Sequence, residues 1–261
     1  MPEGDTVHRT AAALDAALRG GRLVRLEAPG AAGPVPRPGT TIVGARAEGK
    51  HVLIGFDGDR WLHTHLGMHG SWRIGGDPEE PVPFGRPGTV ALVATERAGA
   101  TCRRARIVAF LGPGERRRHP TLRQLGPDLC APSVDLERVE RRARALLDPA
   151  TPIGVVLLDQ RPACGIGNVW RSEVLWVCGV DPTTPLGAVD PHDLRELYAT
   201  ASALLGRNLG GGRRRTLPEG LAVYRRTGRP CPRCGHPIAS RRLGEQARTV
   251  WWCPGCQGGG R

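Results

Sequence analysis

The chain has 261 residues, enough for one large domain or two ordinary ones with real cores, and a formal charge of +12. No apolar run approaches the ~18 residues of a membrane span, and the first residues do not read as a signal peptide; the expectation is a cytoplasmic protein. The charge points to a polyanionic partner, because residues 201–261 hold twelve arginines against Glu219 and Glu245.

Met1-Pro2-Glu3 opens the chain. Proline in second place permits removal of the initiator methionine, which would leave Pro2 with a free secondary amine. An α-amino group titrates near ~8, so a useful fraction is nucleophilic at neutral pH. The plain alternative is a solvated, idle terminus. Asp5 or Thr6 can cap a first helix carrying Val7, Ala11, Leu14 and Leu18 at helical spacing and ended by Gly20-Gly21. The helix N-terminus would favour a neutral amine and an ionised carboxylate just before it.

Short β patterns follow over 22–26, 41–45, 51–56, 61–65, 71–74, 89–93 and 105–111, separated by Gly, Pro and Asp turns. Asp57-Gly58 signals a hairpin. Seven or eight strands after one helix predict a β-sandwich. Within this region Lys50 is the single lysine among 37 basic residues. Either it survives by chance, or it is kept for a compact ammonium that guanidinium cannot imitate. Met68, flanked by glycines in His65-Leu66-Gly67-Met68-His69-Gly70, is either a buried gap-filler or a wedge for a base stack. His65 is either an ordinary strand histidine or part of that site.

Residues 112–118 form a polar break, after which the pattern is helical. Ser133 or Asp135 opens a helix to Leu147, a second runs over 152–159, and Asn168 begins a third that ends near Gly179. Asp190-Pro191 starts a fourth that reaches about Asn208. The glycine-rich turn before Asn168 suits either an anion site at a helix N-terminus or a plain capped helical hairpin. A Gly- and Arg-rich connection over 210–220 leads to Cys231-x2-Cys234 and, eighteen residues later, Cys253-x2-Cys256. That spacing predicts one structural zinc on four thiolates around a hairpin, with no open position for water. Arg241, Arg242 and Arg248 would project from the hairpin toward phosphates, with Trp251 and Trp252 packing the module. Cys102, Cys130, Cys164 and Cys178 read as buried or incidental thiols.

Pro2-Glu3-Gly4, Gly49-Lys50, His65-Leu66-Gly67-Met68, the stretch from His119-Pro120 to Asp128, the stretch from Leu157 to Asn168, and that from Arg248 to Gln257 occur in one order. Together they resemble the formamidopyrimidine-DNA glycosylase and endonuclease VIII family of DNA repair enzymes, end to end. The resemblance implies an α+β multidomain fold. Its parts are an N-terminal helix plus β-sandwich over 1–112, a helical domain with a helix–two-turn–helix motif over 118–220, and a four-cysteine zinc finger over 221–261, with DNA in the cleft between. It implies a glycosylase and abasic-site lyase in base excision repair. Pro2 would attack C1′ of the damaged nucleotide, and the resulting Schiff base would permit β,δ-elimination. Glu3 would move protons; Lys50, Asn168 and Arg248 would grip phosphates, with His65 in support; Met68 would fill the gap left by the extruded base.

The implied partner is damaged duplex DNA, bound by a monomer that is nucleoid-associated when on DNA, with no membrane involved. Thr6 replaces a glutamate usual in the family, which removes one proton relay. The opening Pro2-Glu3-Gly4-Asp5 differs from the Pro-Glu-Leu-Pro of the purine-specific branch. No Asp-Pro-Arg-Arg-Phe-Gly loop lies between Thr95 and Arg118, and 204–221 is short for a purine-covering loop. These departures favour the endonuclease VIII-like branch and oxidised pyrimidines. The alternatives are an oxidised-purine glycosylase and a non-catalytic zinc-ribbon DNA-binding protein.

Overall fold

The computed structural model describes residues 2–75 and 87–258. Met1, whose removal the reading of Pro2 requires, and Arg261 of the basic stretch lie outside them. The chain forms two compact units, Met1–Gln124 and Leu125–Arg261.

The first unit opens with α1 (Gly4–Leu18), which buries Val7, Ala11, Leu14 and Leu18 along one face. It starts earlier than the capping pattern predicts. Glu3 is the N-cap, in extended backbone, and its carbonyl accepts from Val7 N at 2.9 Å. Asp5 and Thr6 therefore lie inside the first turn, where the Asp5 carboxylate accepts from Thr6 N at 2.7 Å. Beyond the helix, Gly20 takes the left-handed conformation (φ +74°) that releases the chain into the sheet.

Eight strands follow: β1 (Leu23–Glu27), β2 (Ile42–Glu48), β3 (His51–Phe56), β4 (Arg60–His65), β5 (Ser71–Gly75), β6 (Thr89–Thr95), β7 (Gly99–Arg103) and β8 (Ile107–Leu111). They make two antiparallel four-stranded sheets, ordered β1-β6-β7-β5 and β2-β3-β4-β8. One core draws Leu14 and Leu18 from α1, Ile54, Phe56 and Leu62 from one sheet, and Val93 and Ala100 from the other. Strand β3 is buried along its whole length, flanked by β2 and β4 and packed against α1.

Strand β7 has no counterpart in the sequence reading. Its Gly-Ala-Thr-Cys-Arg is short and made of small residues that signal a strand weakly, and it is held as one by β5 and β6 on either side. The last strand starts at Ile107 and not at 105, because Arg104 sits at φ +51° and breaks the extended run. The polar break contains one helical turn, α2 (Glu115–Arg118), closed by the Glu115 carboxylate on Gly112 N at 2.6 Å.

The second unit contains α3 (Leu136–Leu146), α4 (Ile153–Val156), α5 (Asn168–Cys178) and α6 (Pro191–Arg207). Asp135 caps α3 by accepting from Arg138 N at 2.8 Å, and Asp190 caps α6 from His192 N at 2.7 Å. Gly179 ends α5 at φ +70°. The second helix is a single turn, shorter than 152–159, because the backbone leaves it at Leu157 for tight turns toward the glycines. These helices bury Trp170, Leu175, Leu197 and Tyr198. The chain ends in a hairpin, β9 (Ala239–Leu243) with β10 (Arg248–Trp252), and a last turn, α7 (Pro254–Gln257). Trp252 packs on the helical core, and Trp251 packs with Trp176, Val223 and Ile238 beneath the cysteines. Cys102, Cys130 and Cys164 are buried and Cys178 half-buried, as packing thiols should be.

Candidate active site and nucleic-acid interface

In the first unit, Pro2 is half-buried and Glu3 is fully buried at the positive end of α1. A carboxylate there is favoured by the helix macrodipole. Asp5, in the first turn, is a second fully buried carboxylate that the sequence reading passed over as a mere cap. Lys50 stands at the tip of the β2–β3 hairpin, a two-residue turn between Glu48 and His51 whose first position, Gly49, takes φ +56°.

Directly across β4 from His51 is His65. Its Nδ1 accepts from Gly67 N at 3.2 Å, so the neutral ring carries its proton on Nε2 and offers a donor there. Burial lowers the His65 pKa, and the neighbouring charges of Lys50 and Arg106 lower it further. Strand β4 ends there, and the chain turns over Gly67, Met68 and His69. The turn needs its glycines: Gly67 lies at φ +63°, and a Cβ on Gly70 would meet the Leu66 carbonyl oxygen at 2.3 Å. Leu66 anchors the turn in the core while Met68 is 64 % exposed. Burial as a gap-filler is thereby excluded for Met68, and an apolar side chain is held out on a rigid turn.

In the second unit, α5 begins at Asn168 and lies against β10. Asn168 Nδ2 donates to the Thr249 carbonyl at 2.9 Å, which places the helix N-terminus beside Arg248. At least one hydrogen of the Asn168 amide is therefore spent inside the protein. The link depends on Arg171, which is fully buried. Its guanidinium donates to Asn168 Oδ1, to the Gly154 carbonyl at 3.2 Å and to the Thr249 carbonyl at 2.8 Å. Glu173, equally buried, accepts from Ala222 N, Val223 N and Tyr224 N at 2.8–2.9 Å and from the Thr216 hydroxyl. It thus pins the chain leading into the finger onto α5.

Neither residue was singled out from the sequence. The signal was present: a helix apolar on nearly every side that still carries an arginine and a glutamate must satisfy both internally. The hairpin exposes Arg241, Arg242 and Arg248. Register divides them, since Arg241 opposes Val250 and Arg242 opposes Thr249. Arg241 and Arg248 share one face of the ribbon and Arg242 lies on the other.

The ligand atoms of Cys231, Cys234, Cys253 and Cys256 all lie within 4.8 Å of one another. Separations of 3.4 Å for Cys234–Cys253 and 3.8 Å for Cys231–Cys256 are close to the ~3.8 Å edge of a tetrahedron with ~2.3 Å metal–sulfur bonds. Burial opposes ionisation of Cys231, but donors from Trp176 Nε1 and the Arg233 and Cys234 backbone outweigh it and bring its pKa to about 6. Burial and the crowding of neighbouring thiols push Cys253 and Cys256 the other way. Such a set is relieved by a soft tetrahedral cation.

Two family models match the chain: the formamidopyrimidine-DNA glycosylase N-terminal domain over residues 1–108 and the formamidopyrimidine-DNA glycosylase H2TH domain over 125–216. A probable endonuclease 8 2 of Streptomyces coelicolor is 36 % identical, over 99 % of this chain and 95 % of its own length. The DNA-(apurinic or apyrimidinic site) lyase Nei2 of Mycolicibacterium smegmatis is 37 % identical, over 98 % of this chain and 99 % of its own. Among solved structures, the MutM (Fpg) protein of Thermus thermophilus aligns over the full length of both chains with a TM-score of 0.79 and 28 % identity. The chain belongs to the formamidopyrimidine-DNA glycosylase and endonuclease 8 family.

Proposed function

We propose that this protein is a bifunctional DNA glycosylase and abasic-site lyase of base excision repair, acting on oxidised pyrimidines. The observation that carries the reading is the pairing of a half-buried Pro2 with a fully buried carboxylate, Glu3, at the head of α1. Once Met1 is removed, the Pro2 nitrogen attacks C1′ and the damaged base departs with its bonding electrons. Glu3, ionised at the helix head, takes the proton that the attacking amine loses and delivers it to the sugar ring oxygen as the ring opens, which leaves the Schiff base. Removal of a C2′ proton then expels the 3′ phosphate, and a second elimination expels the 5′ phosphate.

Lys50 and the Nε2–H of His65 hold phosphate from the first unit; Asn168, Arg241, Arg242 and Arg248 do so from the second. Met68 takes the place of the extruded base. The functional parts are 1–112, 118–220 and 221–261. The four cysteines would hold one zinc ion, which would cross-link the finger and take no part in the reaction. Thr6 cannot relay a proton as a glutamate does, and its hydroxyl is directed to Asp5 at 3.3 Å.

Relatives named endonuclease 8 and abasic-site lyase, beside others named formamidopyrimidine-DNA glycosylase, support the glycosylase and lyase reading, and the departures of Pro2-Glu3-Gly4-Asp5 and of the missing purine-branch loop support oxidised pyrimidines. Matched duplexes carrying thymine glycol, 5-hydroxyuracil or 8-oxoguanine test this directly. Base release and strand cleavage on the first two are expected, and preferential cleavage at 8-oxoguanine would move the protein to the oxidised-purine reading. Among the described residues no helix is long and apolar enough to cross a membrane.

A further inference from the structure

Four imidazoles pack behind the Lys50 turn, and of these His51, His63 and His119 have no part in the chemistry assigned above. His51 is 5 % exposed and His63 fully buried. The His51 ring meets the edge of His65 with centroids 4.7 Å apart, and its Nδ1 lies 2.8 Å from Nε2 of His63. On the far side His63 meets His119 at 5.1 Å. The remaining nitrogen of His63, Nδ1, is buried with no hydrogen-bond partner.

That unpartnered nitrogen decides where the protons are. A single proton lies between His51 Nδ1 and His63 Nε2. If His51 supplied it, neutral His63 would carry its own proton on Nδ1, a buried N–H with no acceptor, at a cost of about 1–3 kcal/mol. The other arrangement leaves only a lone pair unsatisfied, so His63 donates from Nε2 and His51 keeps its proton on Nε2. His65, whose Nδ1 accepts from Gly67, also carries its proton on Nε2. The three rings thus share one tautomer, that of His51 set by His63 and that of His65 by Gly67.

We propose that His63 is a positioning residue for DNA binding: through His51 it fixes the tautomer and ring plane against which His65 and the Lys50 turn are seated, so that the His65 Nε2–H and the Lys50 ammonium meet one phosphate together. The proposal rests on the reading of Lys50 and His65 as phosphate ligands. Burial first, then the neighbouring imidazoles, lowers the pKa of His63 to about 4 and that of His51 to about 2, with Lys50 also lowering the latter. Both rings therefore stay neutral in the working enzyme.

The test uses the full-length protein and a duplex with a tetrahydrofuran abasic-site analogue. His63→Leu removes the donor at similar volume, and His63→Gln restores an N–H. We expect His63→Leu to raise the Kd ~10-fold, or about 1.4 kcal/mol. Borohydride trapping at saturating abasic-site DNA should keep its single-turnover rate to within about twofold. His63→Gln should bind to within about threefold of the native protein. Native affinity in His63→Leu, equal loss in both variants, or a slower rate at unchanged affinity would each overturn the proposal.

Long-range 15N–1H spectra of the native imidazoles provide a check that needs no variant. A proton on Nε2 of His51, His63 and His65 supports the proposal, and a proton on His51 Nδ1 refutes it. If the native enzyme formed no adduct, the lyase reading would fail while the affinity and tautomer results still stood.

Discussion

The strands behind Lys50 and the helix beneath the finger bury polar groups in opposite ways. Behind Lys50, the first unit buries imidazoles and makes them neutral; His51 and His63 are held at pKa values of about 2 and 4. The second unit buries formal charge and surrounds it. Arg171 is enclosed by carbonyls, and Glu173 by three backbone N–H groups and a hydroxyl. A neutral ring costs little in the apolar interior but is lost once it protonates, whereas a compensated ion holds firmly until one of its partners is removed. The elements beside Lys50 are therefore expected to respond to pH, and the platform under Arg248 to the loss of a single partner.

The largest expected effect is in the second unit. Stripping the metal, by a chelator with mild acid or by Cys253→Ala, should unfold the finger, since structural zinc contributes roughly 10–16 kcal/mol to folding of such modules. Trp251 and Trp252 make near-ultraviolet circular dichroism a direct readout, with DNA binding lost in parallel and one zinc released per chain. An unaltered tryptophan signal after complete metal loss would show that the hydrophobic cluster alone folds the module.

Next comes Glu173→Ala, which strands three buried N–H groups at once. A loss of about 3–5 kcal/mol is expected, comparable to breaking a buried ion pair. It should be seen as a lower midpoint in denaturant with the finger segment exchanging amide protons first. A change below about 1 kcal/mol would mean that the chain into the finger is held by other contacts.

The first unit should instead show its weakness in acid. The unfolded imidazoles titrate near 6.5 and the folded ones far lower, so the unfolded state binds more protons throughout that interval. The stability from neutral burial is whole above pH 6.5. It falls as pH drops toward about 4 for His63, and further toward about 2 for His51. The slope is roughly 1.4 kcal/mol per pH unit for each ring. Replacing His63 by Leu should flatten the profile between pH 6 and 4, whatever it does to affinity. A native profile flat over that range would contradict the neutral-cluster account.

The smallest effect belongs to the surface. Arg248→Ala should leave folding unchanged to within about 0.5 kcal/mol, because the side chain is exposed. It should weaken DNA binding and reduce the salt slope by about one unit. An unchanged slope would place the phosphate contact elsewhere, with Arg241, on the same face, the next candidate.

Much of this was legible in the chain. The helical spacing of Val7, Ala11, Leu14 and Leu18, the Asp57-Gly58 turn, the Asp190-Pro191 start and the paired cysteines each act locally, and each stands where the pattern placed it. The flanking glycines left Met68 open between a gap-filler and a wedge, and its exposure in the fold decides against the former. The remainder depends on tertiary partners. Strand β7 exists because two neighbours hydrogen-bond it, and the roles of Arg171, Glu173, His51 and His63 exist only once α5 meets β10 and β3 pairs with β4. A sequence displays such residues without their partners, and partners are what decide whether a buried charge or ring is structural or supports a site.

The central claim is that chemistry occurs at the nitrogen of Pro2. Borohydride reduction of the protein on abasic-site DNA, followed by peptide mass analysis of the adduct, tests it most directly. The account predicts intact mass without Met1, one covalent adduct per chain located on the Pro2 nitrogen, and no adduct there from protein that retains Met1 at matched folding. An adduct on Lys50, or none from a native protein shown to lack Met1, would contradict it.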